Sequence, residues 1–170
     1  MANQFRTASI ADLPEIWTIL QQAILRRKND GSNQWQDGYP NPEVIKQDIQ
    51  KGVGYVLLVD ETIAGYCAIL INDEPEYAKI AGKWLTNADF VVFHRVAISQ
   101  EHLGKGLAKT MLVYIEAFAI NHNIYSIKAD TNFDNAAMLN IFKSSGYVYC
   151  GEVYFRGSAR KAYEKVLARA

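Results

Sequence analysis

A chain of 170 residues, 49% hydrophobic and with only 4 prolines, is long enough for one domain with a substantial core and is neither disordered nor fibrous. Lys+Arg and Asp+Glu are both 18, so no charge excess marks a surface for nucleic acid or an anionic membrane.

The predicted elements begin with a short strand, FRTAS, at 5–9. ADLPEIWTILQQAILRR reads as a helix with Asp12 as its N-cap, Pro14 in the first turn and Glu15 three residues after the cap. Its apolar positions, Ile16, Ile19, Leu20, Ala23 and Ile24, keep the helical period. A polar, glycine-bearing loop, NDGSNQWQDGYPN (29–41), separates it from a shorter helix opened by Asn41-Pro42-Glu43 and running to about Lys51. GYVLLV and TIAGYCAILI are two strands around Asp60-Glu61, a hairpin. An acidic loop, NDEPEY (72–77), and a mixed segment to Asn87 lead to ADFVVFHRVAIS (88–99), a long and nearly all-apolar strand expected to be central.

LGKGLAKTMLVYIEAFAIN then reads as a strong helix, with Leu107, Ala108, Met111, Leu112, Ile115, Phe118 and Ala119 on one face. YSIKADT (125–131) is a strand, Asp134 or Asn135 caps the helix NAAMLNIFKSS, and Gly146 closes it. YVYCGEVYF and RKAYEKVLA are the last two strands, around RGSA (156–159). The order predicts a mixed α/β domain over 1–170, undivided by any linker. Cys67 and Cys150 lie in apolar runs and are expected to be buried, reduced thiols of a cytoplasmic protein. MANQFRTAS carries no signal peptide, and YCAILI, the longest apolar stretch, is far too short to span a membrane.

HLGKGLAKT (102–110) ends in Lys-Thr like a triphosphate-binding loop, but G-x-x-x-x-G-K-[ST] needs glycine where Leu103 and Ala108 stand. G-x-G-x-x-G fails at Lys109, and a hairpin rather than a βαβ unit precedes it. The remaining physics is that of a strand ending near Ser99, a turn at Gly104 and Gly106, and a helix whose first amides lack an intrahelical acceptor. Such amides and the helix dipole suit a pyrophosphate, with Lys105 and Lys109 adding charge.

This loop and the element order resemble the GNAT superfamily of N-acetyltransferases. The family loop reads [Q/R]-x-x-G-x-[G/A]; Gly104 and Gly106 match, and Glu101 departs from the leading Gln or Arg. The family's later Asn, helix and Gly-aromatic signature corresponds to Asn135, NAAMLNIFKSS and Gly146-Tyr147. The resemblance implies a central, mostly antiparallel sheet of about six or seven strands, about four flanking helices, and splayed fourth and fifth strands. It implies acetyl-CoA as cosubstrate without a metal. The amides of Gly104, Lys105, Gly106, Leu107, Ala108 and Lys109 would hold the pyrophosphate, the strand edge at Val96, Ala97 and Ile98 would bond the pantetheine arm, and Asn135 would touch the cofactor.

Acetyl transfer to an amine needs the amine neutral, and a lysine-like amine with a pKa of about 10.4 needs a base near neutrality. Of His94, His102 and His122, His94 interrupts the strand directly before the loop and is the expected general base. Alternation would place Val92, His94 and Val96 on one face and Phe93 and Arg95 on the other, with Arg95 paired structurally to a carboxylate such as Asp130. The tyrosine that many family members carry seven residues after the Asn is Phe142 here, leaving the proton for the departing thiolate to water or to one of Tyr147, Tyr149 and Tyr154. Trp35 and Tyr39, and the acids Asp73, Glu74 and Glu76, are expected near a small-molecule or peptide amine. The alternative is a non-catalytic CoA-binding sensor of the same fold, and a homodimer is left open.

Overall fold

In a computed structural model, which describes residues 2–169, the elements follow the expected order. They are β1 (Asn3–Thr7), α1 (Leu13–Asn29), α2 (Pro42–Gln50), β2 (Gly54–Val59), β3 (Thr62–Ile71), β4 (Ala81–Gly82), β5 (Val91–Ile98), α3 (Leu107–Asn121), β6 (Ser126–Thr131), α4 (Ala136–Ser144), β7 (Val148–Phe155) and β8 (Ser158–Val166). The strands hydrogen-bond in the order β1-β2-β3-β5-β6-β8-β7-β4. The eighth strand, beyond the expected six or seven, is the two-residue β4, which pairs antiparallel with β7 at Glu152 and Gly151. Two residues carry too short a period to stand out in a sequence.

The chain forms two compact units, one of residues 2–69 and 94–114, the other of 70–93 and 115–169. In the first, β1 pairs with β2 and β2 with β3, both antiparallel. Asp60 and Glu61 take φ of 49° and 69°, the left-handed pair that a two-residue hairpin turn requires. Ile16, Ile19, Leu20 and Ala23 of α1 pack with Ile45 of α2 and Val56, Ile63 and Tyr66 of the hairpin. Each large aliphatic side chain buried there contributes about 1.5–3 kcal/mol relative to exposure. Asp12 stands at the N-cap of α1 with Pro14 in the first turn, as expected, though its side chain makes no bond to the first turn of α1. Ser9 is the cap of a preceding 3-10 turn (Ile10–Asp12), and Asp12 sits three residues on, accepting from the Ser9 amide at 2.8 Å and from Arg6. Asn41 caps α2 as expected, its Oδ1 accepting from the Val44 amide at 3.0 Å.

In the second unit, β6 and β7 flank β8 in antiparallel ladders. β5 pairs parallel with β6 only at Val91–Ile127 and Val92–Lys128, after which the ladder ends. Phe142 of α4 is fully buried and its ring meets Tyr163 at 4.8 Å, Tyr147 at 5.2 Å and Phe93 at 6.2 Å. Cys67 of the first unit and Cys150 of the second are both free and buried, as expected.

Candidate functional site

β5 does not keep its pleat. Arg95 has φ 58°, in the left-handed region, so the expected alternation fails within the strand, directly after His94. A non-glycine residue held there costs of order 1–3 kcal/mol and persists only where its surroundings fix it. The Arg95 side chain supplies that hold. Its Nε donates to Asp48 Oδ2 at 3.0 Å, its Nη2 to Asp48 Oδ1 at 2.7 Å, and its Nη1 to the Tyr39 hydroxyl at 2.6 Å. Tyr66 donates to the same Asp48 Oδ2 at 2.6 Å. The carboxylate partner of Arg95 is therefore Asp48 on α2, not Asp130; Asp130 instead accepts from the Tyr77 hydroxyl at 2.6 Å and lies 3.7 Å from Arg160.

Both side chains of the pair are out of water, Asp48 7% and Arg95 11% exposed. Burial alone would lower the guanidinium's pKa, but Tyr39 and Asp48 beside it outweigh burial and hold it above its ordinary value. Burial, reinforced by Asp48, keeps the Tyr66 hydroxyl protonated far above the usual tyrosine range. Gly54 makes room for this cluster, since a Cβ there would come within 2.9 Å of the Tyr66 hydroxyl.

The other end of β5 is fixed by neighbouring elements. The Ser99 amide donates to the Ala64 carbonyl at 2.7 Å. Arg26 of α1 donates to the Ile98 carbonyl at 3.0 Å, and the Gln100 amide donates to Gln22 of α1 at 2.9 Å. Ala97 and Ile98 are buried and Val96 half-buried; a Cβ on Gly65 would lie 3.2 Å from the Ala97 carbonyl, which shows how close β3 runs. A 3-10 turn (Gln100–His102) follows, then Gly104 and Gly106 with φ of 77° and 73°. Nothing lies within 4 Å of a Cβ at either glycine, so the backbone conformation, not crowding, selects them.

The helix α3 starts at Leu107 and is 15 residues long. The Thr110 amide donates to the Gly106 carbonyl at 3.1 Å, the first bond of the α3 ladder, so the amides just before it open the helix. Lys105 and Lys109 are exposed, Ala108 is half-buried, and the Leu107 side chain is 4% exposed and belongs to the core. The arrangement is a solvent-facing row of positive backbone dipoles, which suits a phosphate-bearing ligand.

A GNAT family profile, described as acetyltransferase, matches residues 16–147. The chain belongs to the GNAT acetyltransferase family. A GNAT acetyltransferase of Streptococcus agalactiae 2603 is 35% identical, covering 98% of this chain and 96% of its own, with a TM-score of 0.89. YesJ of Bacillus subtilis strain 168, an uncharacterised N-acetyltransferase, is 24% identical over 142 residues, 82% of this chain and 78% of YesJ. The fold is shared with yncA of Salmonella typhimurium, whose structure contains acetyl-CoA as its cofactor; it is 18% identical, covers 100% of this chain and 96% of its own, and has a TM-score of 0.71. These relatives make the chain an N-acetyltransferase enzyme, and the sensor alternative yields to that reading.

The remaining expected site residues of this GNAT enzyme are placed as follows. His94 is half-buried. Trp35 has φ 61° and packs against the core of the first unit, while Tyr39 faces Arg95. His102 is half-buried, and its Nδ1 is buried without a partner among the described residues. His122 is exposed, its Nδ1 2.8 Å from the Phe118 carbonyl. In the second unit, Asn135 is 8% exposed and its Oδ1 caps α4 by accepting from the Met138 amide at 3.2 Å. Of the three tyrosines, Tyr149 and Tyr154 are exposed, the latter bonded to Glu152 at 3.0 Å, and Tyr147 is buried. Burial, with Glu116 nearby, raises the Tyr147 hydroxyl well above its usual value, which disfavours it as a proton donor. In the acidic segment Glu76 pairs with Lys79 at 3.7 Å, and Asp73 is exposed.

Asp48, Tyr66, Gln22 and Arg26 were not among the expected site residues. A signal for two of them exists in the sequence: Asp48 lies three residues after the buried Ile45, and Arg26 three after the buried Ala23, each a charge on the apolar stripe of a helix. In the second unit Glu164, fully buried on β8, is a comparable case. It accepts from the Leu85 amide at 2.8 Å, Thr86 Oγ1 at 2.6 Å and Ser126 Oγ at 2.7 Å, tying down the segment ahead of β5.

Proposed function

We propose that this enzyme transfers an acetyl group from acetyl-CoA to a primary amine of a small molecule or peptide, within a single domain over 1–170 and in the cytoplasm. The observation that carries the reading is the strand-to-helix turn through left-handed Gly104 and Gly106 into the start of a 15-residue helix, whose ladder begins at the Thr110 amide. The amides of 104–109, with Lys105 and Lys109, would hold the pyrophosphate of acetyl-CoA. The β5 edge at Val96, Ala97 and Ile98 would bond the pantetheine arm as an added strand. Asn135 would contact the cosubstrate while capping α4. Acetyl-CoA brings an activated thioester, and the chain's own residues orient it and handle the proton.

His94 is the general base. The amine nitrogen attacks the thioester carbonyl, the C–S bond breaks, and His94, directly or through one water, takes the proton the amine sheds. The departing thiolate has a pKa of about 8.5 and takes its proton from water, since Phe142 has no hydroxyl and lies in the aromatic core. The loop at 29–41 walls the acceptor, with Trp35 and Tyr39 facing a cationic amine. A thiol-release assay over primary amines tests the reading. His94→Ala should lower kcat/KM by roughly 10²–10⁴ while the thermal shift with acetyl-CoA is kept. Unchanged turnover in a folded variant would sink the base assignment; absence of any acetyl-CoA shift would sink the loop assignment.

A further inference from the structure

The loop at 29–41 bears the residues proposed to face the acceptor, and it makes a charged contact to the strand proposed to bear the base. The Tyr39 hydroxyl accepts from Arg95 Nη1 at 2.6 Å, and the Arg95 guanidinium carbon lies 5.9 Å from the centre of the Tyr39 ring. Arg95 is itself pinned by Asp48 of α2, the helix that this loop enters through its cap Asn41. Loop end, helix and strand are thus bound to one guanidinium. Its rigid fork grips both oxygens of Asp48 through Nε and Nη2 and leaves Nη1 for Tyr39, a planar arrangement that a lysine could not reproduce. Left-handed backbone at both Trp35 and Arg95 means that each side of the contact also occupies an unfavourable conformation, which must be held by side-chain contacts.

We propose that Asp48, Arg95 and Tyr39 form a positioning clamp that sets acceptor recognition: it fixes the 29–41 loop against β5 and orients His94 beside the kink. Asp48 and Arg95 are assigned no contact with the reacting atoms, and the hydroxyl of Tyr39 serves the clamp while only its ring faces the amine. The inference rests on the proposed placement of the acceptor by this loop and of the base at His94. It predicts a division of effects: weakening the clamp impairs acceptor binding and leaves the acetyl-CoA loop, which is fixed by Gln22 and Arg26 of α1, intact.

Tyr39→Phe is the first variant, because it removes only the hydroxyl and keeps the ring. Backbone hydrogen exchange is read over peptides covering 29–41 and 98–110, and steady-state kinetics on phenethylamine, putrescine and an alanyl peptide with a free amino terminus. The expected result is exchange about tenfold faster across 29–41 with 98–110 unchanged, and an amine KM about tenfold higher, the low end for one charge-assisted hydrogen bond. The KM for acetyl-CoA should stay within about twofold of wild type. Arg95→Lys, which keeps the charge and loses the fork, should reproduce the division rather than rescue it. Unchanged exchange over 29–41 overturns the clamp whichever amine is used. Equal rises in both KM values overturn its role in acceptor recognition. If His94→Ala retains turnover while Tyr39→Phe gives the divided result, the base assignment alone fails and the clamp stands.

Discussion

Removing the carboxylate of Asp48 is the sharpest perturbation this structure offers. Asp48 accepts two hydrogen bonds from Arg95, at 3.0 Å and 2.7 Å, and one from Tyr66 at 2.6 Å. With the Arg95 side chain 11% exposed, Asp48→Ala leaves a cation out of water with its opposite charge gone, and water cannot easily replace it. Breaking one side of a buried ion pair costs roughly 3–5 kcal/mol. A domain of this size has about 5–15 kcal/mol of stability, so roughly a fifth or more disappears. At roughly 2–4 °C per kcal/mol the melting temperature falls by about 6–20 °C. Urea unfolding followed by circular dichroism gives the free energy directly. The same reasoning makes a second demand. Asp48→Leu combined with Arg95→Met removes both charges and keeps volume, so it should recover to within about 1.5 kcal/mol of wild type. Its catalytic efficiency should stay low, because nothing then anchors Tyr39 or holds the kink after His94. A loss below about 1 kcal/mol for Asp48→Ala would refute the argument, since the pair would then be hydrated rather than buried.

Two further predictions use other groups. Arg6 bonds both oxygens of Asp12, at 2.8 Å and 3.1 Å, and with the Ser9 amide holds its carboxyl below the usual range against the opposing effect of burial. A depressed carboxyl stabilises the fold above its unfolded pKa of about 3.9, and that stability is lost as pH falls through the folded value. Asp12→Asn should therefore be less stable than wild type at pH 7, with the gap closing in acid; a gap that does not change between neutral pH and pH 3 in urea titrations would contradict this. Burial, only partly opposed by Arg95, pushes the fully buried Cys67 thiol well above its ordinary value, and burial also raises Cys150. Neither should react quickly with a disulfide reagent such as DTNB at pH 8, and both should react in urea. Fast native labelling would show that one of them is open to solvent.

What could be read in the sequence was local. Asn41 announces α2 by a cap whose partner is three residues away, and Asp60-Glu61 announces the hairpin by two adjacent positions. Gly104, Gly106, Asn135 and Gly146 are legible for the same reason: each answers a demand of its own turn, left-handed backbone or a helix cap, that neighbouring residues already declare. Asp12 at the cap of α1 is local in the same way, its carboxylate accepting from the Ser9 amide three residues back.

The part that could not be read joins distant positions. Arg95 meets a carboxylate 47 residues away and a hydroxyl 56 residues away, and no periodicity in β5 distinguishes Asp48 from Asp130 as its partner. The period-2 rule itself misleads there, because it assumes an unbroken pleat and the kink at Arg95 is held by those same distant groups. A charge on the buried stripe of a helix is the residual trace, since it cannot be accommodated without a partner. On that criterion Asp48 and Arg26 mark where α2 and α1 grip β5, one at its kink beside the proposed base and the other at its exit into the glycine loop. The two helices thus act on different halves of the proposed reaction, α2 on the acceptor side and α1 on the cosubstrate side. Acceptor preference can then change with α2 and the loop at 29–41 while the strand-to-helix turn at 98–107 stays as it is.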